Sequence, residues 1–253
     1  MNFVDTTPPI TPPHLDFDLD RDLDLDWSKS KSKSKSTWWK WLELALRPLT
    51  PKVCERSELS PPMDMTLKPW LHEERELVAD MRIFQVHRLR AQSPRTGQYC
   101  SISLLEAGDW VNVVALTPEE DVVLVRQFRH GTGAFTLEIP GGMIDKGETP
   151  AQAAIRELRE ESGYVGDGPV LLGVVTPNPA FLNNHCHTYL LQNCRRVGEL
   201  QLDRGEDLEV LTRPLHEIPR IIASGAIDHA LVICAFWWLT QRLQTKSSHE
   251  EHE

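Results

Sequence analysis

The sequence predicts an α/β fold, in which a mixed β-sheet is sandwiched between helices and preceded by an antiparallel β element. Three observations carry this. Strand-like and helix-like segments follow one another without regular alternation, the pattern of a mixed sheet covered by helices on its faces. Val122-Val123-Leu124-Val125 is a continuous apolar run, as in a central strand buried on both faces. The segment from Thr149 to Gly163 carries both the start and the stop signals of a helix.

The first 66 residues stand apart. Prolines 8, 9, 12 and 13 open the chain, Leu15 to Asp26 alternates aspartate with apolar residues or arginine, and Ser28 to Ser36 alternates serine with lysine. Alternation normally marks a strand. Here the aspartate density and low complexity point instead to a disordered tail over residues 1–66. Within it, Trp38 to Leu46 has the makings of a short amphipathic helix that Pro48 stops.

From residue 67 the pattern becomes globular. Ile83 to Leu89 and Tyr99 to Leu105 read as strands joined by a turn at Pro94-Arg95-Thr96-Gly97, within an N-terminal β element over residues 67–106. The main domain is expected over residues 107–245. Asp109 to Thr117 and Val122 to Phe128 read as strands around the turn Thr117-Pro118-Glu119-Glu120. A glycine-rich stretch and a helix come next, then strands Pro169–Val175 and His187–Gln192. After an acidic loop at Gly205 to Asp207 follow a strand, Leu208 to Thr212, and two closing helices, Leu215 to Ser224 and His229 to Leu243. Residues 246–253 read as a second tail.

Composition narrows the function. A formal net charge of −10 over 253 residues argues against a nucleic-acid-coating protein, which needs a basic face. The longest apolar run, Ala230 to Leu239, is about half of the ~20 residues that cross a bilayer. No basic start followed by an apolar stretch marks a secretory signal. Five scattered cysteines suit reduced thiols, so a cytoplasmic location is expected.

The chemistry concentrates in Gly142 to Tyr164. Thr149 is a good N-cap, Pro150 suits the first helical position, and Gln152 completes a capping box; Gly163 supplies the stop. Ala151, Ala154, Ile155 and Leu158 follow the spacing of a buried helix face. Glu157, Glu160 and Glu161 fall on a neighbouring face, where like charges repel and the helix dipole disfavours anions. A divalent cation would offset both penalties, since hard cations choose carboxylate oxygens plus water. The plainer reading of this stretch alone is a solvated acidic face paired with Arg156 and Arg159.

The full spacing, Gly-x5-Glu-x7-Arg-Glu-Leu-x-Glu-Glu-x-Gly-Tyr, resembles the Nudix box, with Tyr164 where an aliphatic residue is usual. The resemblance covers about residues 68–243. It implies that Glu157 and Glu161 hold metal with Glu160 assisting, that Arg156 orients the glutamates, and that the loop at Gly141 lends a backbone carbonyl. Glu148 would be a supporting carboxylate. The implied cofactor is Mg²⁺, with Mn²⁺ as the alternative, and the implied reaction is attack of a metal-activated water on phosphorus.

The flanks, Leu124 to Arg129 and Leu137 to Gly142, resemble the ADP-ribose pyrophosphatase branch of that family. By that resemblance Arg126 and Arg129 line the substrate, and Glu138 adds a carboxylate to the metal cluster. Either arginine also reads as a surface charge at a strand end. Pro179 matches a proline that marks the ADP-ribose group, and Glu206, or else Asp207, matches the general base. Two departures stand out, Ile-Pro-Gly-Gly at the loop and Asn183-Asn184-His185-Cys186-His187 after the proline. The second keeps open a nucleotide-sugar substrate of the GDP-mannose type. A catalytically silent nucleotide sensor is the alternative of another class, disfavoured because every box carboxylate is present. The N-terminal strands serve dimerisation in this branch, so a homodimer is implied.

Overall fold

A computed structural model of the chain describes residues 67–250, apart from Asp203, Arg204 and Glu206, with side chains described as far as Gln244. The expected tail over residues 1–66 and the tryptophan-rich segment within it lie outside the described residues, as do residues 251–253.

Among the described residues, twelve strands and three α-helices follow in order. Strands β1 (Leu71–Asp80), β2 (Phe84–Gln92) and β3 (Tyr99–Ala107) form an antiparallel sheet in the order β1-β2-β3. The β2–β3 turn is the one read from Pro94 to Gly97, closed by Gly97 N–H to Ser93 O at 2.9 Å with Gly97 at φ 70°. Strand β1 has no counterpart among the expected strands: Leu-His-Glu-Glu-Arg-Glu lacks alternation, and pairing with β2 rather than burial defines it.

Two further sheets form the main domain. One has the order β7-β4-β10-β9, from β7 (Gly141–Met143), β4 (Trp110–Ala115), β10 (Cys186–Leu191) and β9 (Val170–Val175). Its β4–β10 pair is parallel and its other pairs antiparallel, which makes it the mixed sheet expected. The other is β12-β5-β6, wholly antiparallel, from β12 (Leu208–Pro214), β5 (Asp121–Arg129) and β6 (Ala134–Glu138). A small pair joins β8 (Tyr164–Val165) to β11 (Arg195–Arg196).

Two cores lie on opposite sides of these strands. Val114, Leu116, Val122 and Leu124 pack with Ile218, Ile221, Val232, Phe236 and Leu239 of the C-terminal helices. Val113, Ala115 and Val123 alternate to the other side and pack with Ala154 and Leu158. Residues 122–125 are apolar throughout because both faces of β5 are covered.

Helix α1 (Pro150–Ser162) begins and ends as the sequence requires. Gln152 N–H donates to Thr149 Oγ1 at 3.3 Å, Thr149 N–H donates to Gln152 Oε1 at 2.9 Å, and Gly163 adopts φ 72°. Its buried face differs from expectation. Ile155 is 44% exposed, whereas Ala153, Glu157 and Glu161 are buried. Ile155 lies about 100° further round the helix than Ala154, so the stripe through Ala154, Glu157, Leu158 and Glu161 turns inward and takes two glutamates with it.

The closing helices also shift. Leu215–Glu217 is a 3-10 turn ahead of α2 (Ile218–Ala223), and α3 runs from Ala230 to Glu250. The last helix therefore continues beyond Leu243 into the segment read as a tail from residue 246.

Candidate active site

The site is built where β7 meets α1. Val111 pairs with Gly142 and Asn112 with Gly141, so the glycine strand lies flat along β4. A Cβ on Gly141 would meet Val111 O and lie 2.9 Å from Asn112 Oδ1; one on Gly142 would lie 2.6 Å from Glu157 Cδ. Space requires glycine at Gly141, whose neighbours are backbone, while any side chain at Gly142 would displace the Glu157 carboxylate. Gly141 N–H also donates to Glu161 Oε2 at 2.9 Å. Of the two buried glutamates of α1, Glu157 is thus pressed against the backbone of β7 and Glu161 is bonded to it.

Arg156 binds this arrangement together. Its Nε and Nη2 donate to Glu148 Oε1 and Oε2 at 3.0 and 2.9 Å, a bidentate pair. Nη2 also donates to Met143 O at 2.9 Å, and Nη1 to Glu157 Oε1 at 2.8 Å and Glu160 Oε2 at 3.1 Å. The Glu148 bonds, against an opposing effect of burial, push the guanidinium still further above its ordinary pKa. The same bonds hold the Glu148 carboxyl below its ordinary value. Beside this cluster, Gln152, Ile155, Arg156, Arg159, Glu160 and Gln201 line a surface hollow of about 380 Å³.

The donor set fits a hard divalent cation. Glu157 and Glu161 are 7% and 4% exposed, Glu157 packed against Gly142 and Glu161 accepting from the Gly141 N–H. Among the described residues no three His, Cys, Asp or Glu side chains converge on one point. Glu160 is turned toward Arg156.

The remaining expected residues separate. Arg129 and Arg126 lie three apart on β5 and so on opposite faces. Arg126 sits 4.7 Å above the Phe135 ring and 3.7 Å from Glu209, on the face shared with Val122 and Leu124. Arg129 instead donates from Nε and Nη2 to Glu138 Oε1 and Oε2 at 2.7 and 2.8 Å. Glu138 is 3% exposed and takes two more hydrogen bonds, one from Thr136 Oγ1 at 2.6 Å and one shared with His229 Nδ1 at 3.0 Å. Burial works to raise its pKa, but the bonds from Arg129, His229 and Thr136 outweigh burial and hold the carboxyl well below the usual range. Both Glu138 oxygens therefore have protein donors, which is the environment of an arginine anchor. No sequence signal pointed to His229.

Pro179 is exposed in a turn closed by Leu182 N–H to Asn178 O at 2.8 Å. Asp207 is exposed just before β12, and Glu206 lies outside the described residues. The unusual stretch from Asn183 to His187 is occupied with structure. Asn183 Oδ1 accepts from Ala107 N–H at 3.2 Å, Asn184 Nδ2 donates to Gly108 O at 3.0 Å, and His185 N–H donates to Asp109 Oδ1 at 2.7 Å. His187 Nε2 lies 3.3 Å from Asp109 Oδ2. These residues stitch the proline loop to the β3–β4 connection.

The NUDIX domain model matches residues 108–236, half of the chain and the part that contains α1, β7 and Glu138. The chain belongs to the Nudix family. An ADP-ribose pyrophosphatase of Bacillus subtilis is 31% identical over 130 residues, 51% of this chain and 70% of that protein. An ADP-sugar pyrophosphatase of Mus musculus is 36% identical over 119 residues, 45% of this chain. The chain spans 55% of the length of that relative. The crystal structure of an ADP compounds hydrolase matches with a TM-score of 0.64 and 22% identity, over 72% of this chain and 97% of its own. At that identity the likeness bears on fold alone.

The cradle yields a direct prediction. Gly142→Ala is expected to fold, to displace the Glu157 carboxylate, and to lower turnover by about 100-fold, the scale of a 1 Å misplacement. Wild-type turnover from a folded Gly142→Ala protein would show that Glu157 does not depend on this contact.

Proposed function

We propose that this Nudix hydrolase cleaves ADP-ribose to AMP and ribose 5-phosphate with the help of divalent cations, Mg²⁺ first and Mn²⁺ as the alternative. The observation that carries the reading is the pair of buried carboxylates, Glu157 and Glu161, clamped between α1 and the Gly141–Gly142 strand. ADP-ribose as substrate is supported by the names of the relatives above and by the segment from Arg126 to Gly142.

In this reading Glu157, Glu161 and the Gly141 carbonyl hold the cation, with Glu160 assisting. When bound, the ion neutralises phosphate charge and lowers the pKa of a bound water. The protein's own groups do the rest. Arg156 fixes the carboxylates before substrate arrives, so no reorganisation is needed in the transition state. Arg129 offers a planar, permanently charged fork to the diphosphate. Glu138 is assigned to holding that fork. Glu206, or else Asp207 beside it, takes the proton from the attacking water as its oxygen bonds to phosphorus. The P–O bond of the anhydride then breaks, and the second phosphate leaves as the other product. Pro179 shapes the loop on the substrate side.

A nucleotide sugar of the GDP-mannose type is the second reading. Its motive was the stretch from Asn183 to His187, and the hydrogen bonds of that stretch to residues 107–109 now account for several of those side chains. We assign the protein to the cytoplasm, which suits the free thiols of Cys100, Cys186, Cys194 and Cys234. Among the described residues, no helix is long and apolar enough to cross a membrane. We also assign the β1–β3 sheet to pairing with a second copy of the chain. Trp70, Leu71, Leu77, Met81 and Ile83 are all about half exposed there, an apolar surface that a partner would cover.

Two measurements test these assignments. Turnover of a panel of nucleoside diphosphate derivatives with Mg²⁺ should be fastest for ADP-ribose, and Glu161→Gln should lower it by about 100-fold or more while the fold is kept. Fast GDP-mannose cleavage beside negligible ADP-ribose cleavage would refute the substrate. Light scattering of the purified chain should give twice the 28.9 kDa chain mass; a monomer mass would remove the dimer.

A further inference from the structure

We propose that His229 is a positioning residue for substrate binding: through Glu138 it fixes the orientation of the Arg129 guanidinium. The inference rests on the reading of Arg129 as the diphosphate grip.

The geometry is a chain of three groups drawn from three elements. Arg129 ends β5, Glu138 ends the neighbouring β6, and His229 immediately precedes α3, 91 residues further along the chain. Each Glu138 oxygen has two donors. Oε1 takes Arg129 Nε at 2.7 Å and Thr136 Oγ1 at 2.6 Å; Oε2 takes Arg129 Nη2 at 2.8 Å and His229 Nδ1 at 3.0 Å. An ionised carboxylate accepts about four hydrogen bonds, so Glu138 is filled. Because that carboxylate only accepts, His229 carries its proton on Nδ1 and donates it.

Saturation has a mechanical consequence. A carboxylate with only the arginine fork on it can swing about its last side-chain bond and carry the guanidinium plane with it. Thr136 and His229 pull on opposite oxygens and stop that rotation. Thr136 is two residues away on the same strand. His229 lies 91 residues further along the chain and ties the pair to the larger core. Its carbonyl accepts from the N–H groups of Val232 and Ile233 at 3.0 and 3.1 Å, and its neighbours Ile227 and Val232 are each 1% exposed. The ring therefore hangs from a fixed backbone. Arg129, 45% exposed at its side chain, is held by a buried anchor while its surface faces solvent.

A role confined to starting α3 would affect stability alone. A positioning role affects substrate binding through Arg129. Steady-state kinetics with ADP-ribose and Mg²⁺ on His229→Ala, His229→Asn, Arg129→Ala and the double alanine variant separate these, with thermal melting as the control for folding. His229→Ala is expected to raise KM about five-fold and to change kcat less than about two-fold. His229→Asn, whose amide can donate to the same oxygen, should restore most of the loss. Arg129→Ala should raise KM further, and adding His229→Ala to it should change nothing more, because coupled residues are non-additive. A lowered melting temperature with unchanged KM, no recovery in His229→Asn, or multiplied effects in the double variant would each overturn the inference. Unchanged kinetics in Arg129→Ala would instead refute the grip itself, and the inference would fall with it.

Discussion

The site depends on one cation that the chain itself supplies. Arg156 has five N–H donors, and five acceptors surround it: two oxygens of Glu148, the Met143 carbonyl, Glu157 and Glu160. Three glutamates near the C-terminal end of a helix repel one another and oppose the helix dipole. The guanidinium offsets that repulsion and does so directionally. It spans the loop before α1 and the helix itself, so the glycine strand and the carboxylates hold one relative placement. The Gly142–Glu157 contact and the Gly141–Glu161 hydrogen bond add the steric and polar halves of the same constraint.

The fold serves this placement by separating two duties. Strands β4 and β5 present alternate side chains to two cores, one built with α1 and one with α2 and α3. The first core carries the carboxylates. The second carries α3, from whose start His229 reaches Glu138 at the end of β6. The same helix that closes the larger core thereby braces Arg129, the proposed diphosphate grip.

Local signals made the box helix legible residue by residue. Thr149, Pro150, Gln152 and Gly163 fix its ends by side-chain chemistry that acts within a few residues. The run 122–125 likewise marked the doubly covered strand. What escaped reading was set by tertiary contact. Strand β7 is Gly-Gly-Met, which carries no strand propensity and exists because β4 and the two glutamates require close approach. Strand β1 is charged and exposed, and only its partner defines it. Ile155 was placed inward by periodicity, because apolar spacing alone could not foresee that Glu157 and Glu161 would be buried in its stead. Strand parity would have parted Arg126 from Arg129, since three residues along a strand reverse the face. The Glu138–His229 bond joins residues 91 apart and left no trace in local pattern.

Divalent-cation affinity of Arg156→Gln tests the central constraint most directly, because two physical effects then predict opposite signs. Simple Coulomb competition says that removing a positive charge beside the carboxylates tightens cation binding. Preorganisation says that the freed glutamates lose their placement and bind the cation more weakly. Calorimetric titration of the folded protein with Mn²⁺, beside wild type, is expected to show affinity reduced by about ten-fold or more, the scale at which residues that orient metal ligands act. Equal or tighter binding in Arg156→Gln would contradict the role given to Arg156.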